Sequence, residues 1–351
     1  MTIPFVIIGG GTAGLSAAIR LTELGEQPLL IEGGSYPSHK VCGEFLSPEC
    51  LPVLQKWKIH PLPISKALFK TSTRQLEFPF PLSAGGLSHF ALDLALLDYA
   101  MQSGAHIRMQ TRVRAFHPKQ YPDEEHQIEL ASGEIVKAFH VIIATGRIPH
   151  PAIQTPRMVY MGFKAHFKNI ATDCLEMFLC PGAYLGIAPI ENQCFNVACL
   201  ADLRRVQQRG TPGLFLDYLI ANNRSLKARL APGVNLFDRW MTAELPSFGM
   251  RQTPNWLDTY FIGDAALSIP PACGDGLSMA ILGGCMAAEY ALRSQSESFK
   301  QMWHTQCKSP LFWSKLLHRC MLHPACASPL FLLARHFPAS SRKVFDLTRH
   351  P

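Results

Sequence analysis

Charge is scarce in this chain: Asp, Glu, Lys and Arg make up 17% of its 351 residues, while 48% are apolar. Mean hydropathy is +0.08, yet the roughly 18 uninterrupted apolar residues of a membrane-spanning helix occur nowhere. The most apolar stretch, Leu277 to Leu292, is interrupted by Gly283, Gly284 and Glu289 and reads as a buried helix. The eleven cysteines are odd in number and contain no C-x-x-C pair. That excludes a disulfide framework or a zinc ribbon, so no metal site is expected and the thiols read as those of a reduced, cytoplasmic protein. Dense Lys/Arg runs and zinc-finger spacings are missing too, so the diffuse net charge of +7 does not describe a nucleic-acid binder. It suits an anionic small molecule or an anionic membrane surface. Ahead of the first apolar run there is no basic n-region or cleavage site, so no secretory signal is expected. Internal repeats and low-complexity tracts are absent.

What is present begins with a strand–turn–helix–strand unit. Pro4 to Ile8 is a short apolar run bounded by glycines, as in a buried parallel strand. Apolar residues then recur at helical spacing from Leu15 to Leu24, Gly25 is placed to end the helix, and Pro28 to Ile31 forms a second strand. The turn reads Gly9-Gly10-Gly11-Thr12-Ala13-Gly14. In this G-x-G-x-x-G, Gly9 allows the tight turn and Gly11 lets a pyrophosphate approach the backbone at a helix N-terminus. Gly14 permits close helix–strand packing. Glu32 follows Gly14 by 18 positions, where its carboxylate can accept hydrogen bonds from ribose hydroxyls. A glycine turn without a ligand is the bland alternative.

Two later stretches carry the same signature of backbone near a nucleotide. Phe261-Ile262-Gly263-Asp264-Ala265-Ala266 ends a strand with an acid that either caps a helix or binds a sugar hydroxyl. Beyond it, Pro270-Pro271-Ala272-Cys273-Gly274-Asp275-Gly276 and Leu277 join a rigid Pro-Pro to a flexible Gly-x-Gly at a helix N-terminus. That arrangement suits backbone lying against a flat ring. Ile142-Ile143-Ala144-Thr145-Gly146 ends a strand in small residues, through close nucleotide approach at Gly146 or as an ordinary strand-to-loop turn. Elsewhere, Ala67 to Phe80 reads as a hairpin, Phe90 to Ser103 as a helix, and Val159 to Ala201 as successive β-strands. Leu214 to Leu226 reads as one helix. The last fifty or so residues are helical and basic, broken by Pro310, Pro324, Pro329 and Pro338.

Together these motifs resemble the p-hydroxybenzoate hydroxylase and geranylgeranyl reductase superfamily of FAD enzymes over nearly the whole chain. His39-Lys40-Val41-Cys42-Gly43-Glu44-Phe45-Leu46-Ser47-Pro48 is similar to the K-V-C-G-x-x-L-S-P signature of its geranylgeranyl reductase branch. The strands Val159 to Phe167 and Gly182 to Pro189 resemble those of bacterial relatives. By that resemblance Gly9, Gly11, Thr12, Ala13, Gly14 and Glu32 hold the ADP half of FAD, and Asp264, after Gly263, holds the ribityl or pyrophosphate region. Pro271, Gly274, Asp275, Gly276 and Leu277 border the isoalloxazine, with Cys42 and Gly43 in a loop close to it. Two departures stand out. Where the superfamily has S-R-x-x-F-D, this chain reads Ser88-His89-Phe90-Ala91-Leu92-Asp93, and His89 lacks arginine's permanent charge and fork. Where the hydroxylases carry an Asp-Gly linked to both FAD and NADPH, it reads Ala144-Thr145-Gly146-Arg147, leaving the route of flavin reduction open.

The flavin carries the redox chemistry in such enzymes and the protein supplies orientation and electrostatics. Cys42 is a candidate for tuning the ring or gating the substrate, against a small soft residue packing a tight loop. Lys164 and His166 lie two apart on a strand and share a face, with Phe163, Ala165 and Phe167 on the other. They either line a substrate cavity, where His166 can move a proton, or form the wet face of a half-buried sheet. Tyr184, between Gly182 and Gly186, is a cavity wall or a β-forming residue. Leu330 to Arg349 is a membrane-surface or lid element, or a helix covering the nucleotide domain.

The expectation is therefore an α/β protein with a Rossmann-like FAD-binding domain (1–66, 84–150 and 250–295). A mostly antiparallel β-sheet substrate domain (67–83 and 151–249) is inserted, and a C-terminal helical segment (296–351) follows. The expected function is an FAD-dependent oxidoreductase, monooxygenase or reductase, on an apolar isoprenoid, quinone or polyketide-like compound. Only one dinucleotide fingerprint is present, so no dedicated NADPH domain is expected, and NADPH or NADH visiting the flavin cleft transiently is an open alternative for the electron donor. No nucleic acid partner is expected. The expected location is cytoplasmic, with peripheral membrane contact through the C-terminal segment as an open alternative. A non-catalytic flavin-binding protein is the rival class.

Overall fold

The computed structural model describes residues 2–147, 157–326, 331, 343 and 345–349. The first sheet is built on β1 (Ile3–Ile8), β2 (Leu29–Ile31) and β6 (His106–Arg108), with β9 (Ile135–Ile143) and β17 (Thr259–Phe261) beside them. All five run parallel: β2 lies between β6 and β1, and the C-terminal half of β9 pairs with β1 on one side and β17 on the other. An antiparallel meander of β7 (Val113–His117) and β8 (His126–Leu130) continues the sheet from the first half of β9. Val6, Ile7, Leu30, Val141 and Ile142 are fully buried, which is why these strands read as continuous apolar runs rather than as alternation.

Helix α1 (Thr12–Glu23) follows β1, α3 (His89–Gln102) precedes β6, and α7 (Gly276–Ala291) follows β17. Leu15, Ile19 and Leu21 of α1 are completely buried, each worth about 1.5–3 kcal/mol. The small faces of α1 and α7 meet so closely that a Cβ on Gly284 would lie 2.4 Å from the Ala13 carbonyl oxygen. That contact sets the N-termini of α1 and α7 on the same side of the parallel sheet, beyond its strands' carboxyl ends.

The second sheet has nine strands and one parallel pairing, β4 (Leu62–Lys70) with β11 (Leu175–Cys180). Its other members are β3 (Phe45–Leu46), β5 (Gln75–Gly86), β10 (Met158–Lys168), β12 (Ala183–Ile190), β13 (Cys194–Asp202), β14 (Val234–Asn235) and β15 (Met241–Pro246). The β4–β5 hairpin spans Leu62 to Gly86, longer at both ends than the Ala67 to Phe80 anticipated for it. A short pair, β16 (Gly249–Met250) with β18 (Leu267–Ser268), leads back to the first sheet. One face of the second sheet, including Phe163, Ala165, Phe167, Leu185 and Val197, packs under α4 (Leu203–Gln208), α5 (Pro212–Ala221) and α6 (Arg224–Leu230).

Two sequence expectations are corrected here. The single helix anticipated over 214–226 is two, because the Asn223 side chain accepts from the Leu226 amide (3.0 Å) and starts α6 afresh. The C-terminal segment does not break at Pro310. Helix α8 (Ser296–Leu322) runs through it, with Pro310 itself buried. Its buried stripe of Trp303, Cys307, Leu311, Ser314, His318 and Met321 supplies the packing that offsets the missing hydrogen bond.

At the start of β8, His126 is fully buried, its Nδ1 accepting from the Lys119 amide at 3.2 Å while Nε2 has no partner. Burial, reinforced by the Lys119 ammonium, lowers its pKa from 6.5 to about 4. Because the folded pKa is depressed, His126 contributes stability that is complete above pH 6.5. That contribution is lost as pH falls toward 4, by about 3 kcal/mol at most. Urea midpoints measured from pH 7 to 4 are expected to fall less steeply in His126→Phe than in the wild type. Equal slopes would mean that the ring is not buried neutral.

Candidate functional site

Three loops meet beyond the carboxyl ends of β1, β9 and β17. Gly9 takes φ +105, and a Cβ there would lie 2.4 Å from the Ala144 carbonyl oxygen. A Cβ on Gly14 would fall 1.9 Å from the Gly9 carbonyl oxygen, so helix and strand touch backbone to backbone. Helix α1 starts at Gly11 without a side-chain cap, and its first amides, those of Thr12, Ala13 and Gly14, are offered to a ligand. Glu32 closes β2, accepting from the Gly10 and Gly34 amides, each at 2.6 Å. Gly263 stands next to Ala13, 3.1 Å from Cβ to Cβ were it an alanine. Asp264 follows, half-exposed and 3.5 Å from Arg147 Nε, beside Gly146 with φ +65.

Cations gather at the α1 N-terminus. Lys40 Nζ reaches 3.8 Å from where a Gly11 Cβ would be and binds Asp93 Oδ2 at 2.6 Å. His89 Nε2 lies 3.2 Å from the same carboxylate and 3.3 Å from Thr12 Oγ1, and Thr12 donates to Asp93 Oδ1 at 2.8 Å. Burial opposes a charge on His89, but hydrogen bonds with Asp93 and Cys42 outweigh it and raise its pKa to about 9. His89 therefore carries the charge near neutral pH that a histidine in place of arginine was expected to lack. It does not recover arginine's fork.

The signature loop bridges the two sheets. Glu44, fully buried, adopts φ +54, a conformation that disfavours non-glycine residues and holds its carboxylate toward β10. There it bonds Lys164 Nζ and His166 Nε2, the latter at 2.7 Å, and also accepts from the His89 amide at 2.7 Å. The Lys164 cation, His166 and Gly162 share one face of β10, as the alternation indicates, but Lys164 is fully buried and His166 nearly so. Rather than lining an open cavity, the pair is closed under the loop. Cys42 is half-buried; its carbonyl accepts from Asn196 Nδ2 at 3.0 Å and its sulfur from the Glu44 amide at 3.3 Å. Gly43 is exposed.

The segment expected against the flavin ring sits on the far side of that loop. Helix α7 begins at Gly276 with no side-chain cap, and Gly274 approaches the ring of Phe45 from the signature loop. Pro271 is exposed and Leu277 buried. Asp275 is buried, and burial drives its pKa up to about 7 against the pull of Arg349, with which it pairs. Tyr184 stands apart from Lys164 and His166, packed near Ala272 with its hydroxyl 3.2 Å from His318 Nδ1. Of the C-terminal lid or cover expected over 330–349, most lies outside the described residues. Within them, Phe345 packs on Phe78 and Phe80, next to the Arg349–Asp275 pair. Sequence reasoning singled out neither Lys40 nor Asp93 as a site group, and named Glu44 only as a member, with Cys42, of the loop expected close to the flavin. Lys40 and Glu44 belong to the quoted signature, and Asp93 follows His89 by one helical turn.

Two helix N-termini without side-chain caps, a carboxylate at the end of β2, two cations and close-approach glycines fit a dinucleotide with a flat ring. Residues 5–43 match the family model of the FAD binding domain. The menaquinone reductase of Mycolicibacterium smegmatis is 23% identical over 342 residues, covering 86% of this chain and 79% of that protein. The flavin-dependent brominase Bmp2 superposes with a TM-score of 0.83 at 15% identity, over 99% of this chain and 93% of that one. A geranylgeranyl bacteriochlorophyll reductase-like protein of Thermoplasma acidophilum gives 0.72 at 20% identity, over 91% and 87%. The similarity to these flavin-dependent proteins over most of the chain is one of fold, and the family match lies in residues 5–43. The chain's fold is the one shared by geranylgeranyl-reductase-like proteins and flavin-dependent halogenases. No helix among the described residues is long and apolar enough to cross a membrane.

Proposed function

We propose that the protein is a reductase that transfers hydrogen to an apolar, unsaturated molecule of the quinone or isoprenoid kind, with NADPH or NADH as transient donor. The observation that carries this reading is the face of the second sheet turned toward residues 270–276. Met177, Leu179, Tyr184 and Leu200 form an apolar cluster there, closed on one side by Met321 and Leu322 of α8, with Ala272 against it. At the centre of the sheet Gly186 pairs with Ala198, and these small residues remain partly accessible among buried neighbours. The polar groups nearby are partnered among themselves, Lys164 and His166 with Glu44. Such a wall admits a flat apolar group and offers no ionic partner to a polar one. The relative named for menaquinone reduction supports the same class.

FAD, when bound, supplies the hydride chemistry. The protein's part is to hold and orient it. The α1 amides with Lys40 and His89 suit the pyrophosphate, Glu32 suits the ribose, and Asp264 suits the ribityl or pyrophosphate region. The α7 N-terminus at Gly276 and Leu277 presents its positive end to the ring. The Lys164–Glu44–His166 cluster keeps the signature loop seated on β10, excluding water from that side.

The test is anaerobic reduction of the purified holoenzyme by NADPH or NADH, followed by addition of a menaquinone. The expected result is reoxidation of the flavin with a product that has gained two hydrogens. No reoxidation, or oxygen entering the product in air, would overturn the reading. In Gly186→Leu the added side chain fills the accessible centre of the sheet and meets Met177, whose sulfur is already 3.0 Å from a Cβ there. Flavin content is expected to stay at the wild-type level while kcat/KM falls about 10- to 100-fold, the change expected if the about 1–3 kcal/mol of overpacking falls on substrate binding.

A further inference from the structure

Helix α8 carries an apolar surface on each side. On its inner side Met321 and Leu322 close the cluster of Met177, Leu179, Tyr184 and Leu200, and His318 Nδ1 stands 3.2 Å from the Tyr184 hydroxyl. The outer side, a helix diameter or about 10 Å away, holds Phe312 and Leu316, with 63% and 43% of their surface exposed to water. These two lie one turn apart. The half-buried Trp313 sets its ring edge-on to Phe312, centroids 5.4 Å apart. Met302, also exposed, continues the stripe about four turns before Leu316.

Single exposed apolar residues are ordinary on a protein surface. What sets this stripe apart is the charge beside it. Lys308, Lys315 and Arg319 follow one another at intervals of seven and four residues, which places them along one flank of the stripe. Lys308 and Arg319 are exposed and Lys315 is half-buried. Among the described residues none of the three forms an ion pair. The single acid of α8, Glu297, sits in its first turn, far from this end. A two-fold contact of the stripe with a second copy would therefore bring cations to face cations. An anionic surface with an apolar interior complements both the stripe and its flank.

We propose that α8 docks the protein on the surface of an anionic phospholipid bilayer. Phe312, Trp313 and Leu316 then lie at the boundary between headgroups and acyl chains, and Lys308, Lys315 and Arg319 lie against lipid phosphates. This surface precedes the Leu330 to Arg349 stretch to which the sequence pointed for such a contact. The docking stands on the outer side of α8 itself. What it accomplishes rests on the quinone or isoprenoid reading of the substrate, because molecules with long apolar tails partition into bilayers. Docked in this way, the helix places the apolar wall of the second sheet one helix thickness from the lipid.

The experiment floats the holoenzyme with vesicles of phosphatidylcholine alone, and with vesicles of phosphatidylcholine and phosphatidylglycerol in equal parts. The protein is expected to rise with the mixed vesicles at low salt and to be released as salt is raised, because screening shortens the reach of its cations. Neutral vesicles should hold it at least about tenfold less tightly. Replacing Lys308, Lys315 and Arg319 with Gln should weaken binding about fivefold for each cation removed. Phe312→Ser combined with Leu316→Ser should weaken it about tenfold or more. Flavin content and urea midpoint serve as folding controls for both sets. Flotation that fails on the mixed vesicles, or that survives both sets of substitutions, overturns the docking. So does a dimer that the Phe312→Ser, Leu316→Ser pair converts to monomer, since the stripe would then belong to a contact between copies. Reduction of a short-chain, water-soluble quinone separates this inference from the function proposed above. Protein that floats but reduces no quinone keeps the docking and loses the substrate class, whereas protein that reduces the quinone without floating loses the docking alone.

Discussion

Glu44→Gln is expected to lower unfolding free energy by about 3–5 kcal/mol, the usual cost of removing one partner from a buried ion pair. Typical domains are stable by only about 5–15 kcal/mol, so the variant should lose a large part of its resistance to urea. The size of the effect follows from what is left behind. Lys164 is fully buried and its ammonium has Glu44 as its ion-pair partner; His166 shares that carboxylate. An amide can accept a hydrogen bond but cannot offset a cation enclosed in the interior. Lys164→Met in the same background removes the stranded charge. The double variant should therefore recover most of the loss, giving a coupling energy of more than about 2 kcal/mol in a double-mutant cycle. Additive single effects would show that the three groups are merely neighbours.

The acid limb of stability provides a second readout of the same cluster. Burial alone would raise the Glu44 carboxyl, but hydrogen bonding with His166 and the charge of Lys164 hold it below its ordinary value. A carboxylate whose folded pKa is depressed contributes stability above the unfolded pKa near 4.5, and that contribution disappears as pH falls through the lower, folded value. Wild-type protein should show this component only below about pH 4.5, and Glu44→Gln should not show it. The His126 contribution lies higher, between pH 6.5 and about 4, so the two separate along the same titration.

Local order was legible in the sequence and long-range partnership was not. The path from β1 through Gly9–Gly14 into α1 and on to Glu32 is written in consecutive residues, each with one physical demand, and the structure follows it. The shared face of Lys164 and His166 was legible from strand alternation. Their carboxylate lies 120 residues earlier, on a loop whose left-handed Glu44 no periodicity signals. The choice between cavity lining and wet surface was therefore framed without the group that decides it. His89 illustrates a nearer omission. Asp93 follows it by one helical turn, a spacing that brings the side chains together, and that contact restores the charge lost with arginine. Pro310 was over-read, because a proline's local penalty yields when tertiary packing of the helix on either side is extensive enough.

Gly14→Ala is expected to yield protein that purifies nearly colourless, with FAD affinity reduced by about 100-fold or more, equivalent to about 3 kcal/mol. The alanine Cβ would lie 1.9 Å from the Gly9 carbonyl oxygen, with Gly9 carbonyl carbon at 3.1 Å and Ala144 Cβ at 3.2 Å. None of these is the end of a flexible side chain, so relief requires α1 to move off β1. That motion carries the Thr12, Ala13 and Gly14 amides away from the pyrophosphate position. It also presses α1 on α7, where Gly284 already approaches Ala13 and Ala17 backbone atoms. Both helix N-termini offered to the dinucleotide are thus displaced by one methyl group. Gly213→Ala is the control: nothing lies within 4 Å of its Cβ, at the first turn of α5, and the change should leave flavin content untouched. If Gly14→Ala retains FAD like that control, the pyrophosphate is not held at the α1 N-terminus and the assignment of this loop fails. If it loses FAD but keeps its urea midpoint, the close approach of helix and strand serves the cofactor rather than the fold.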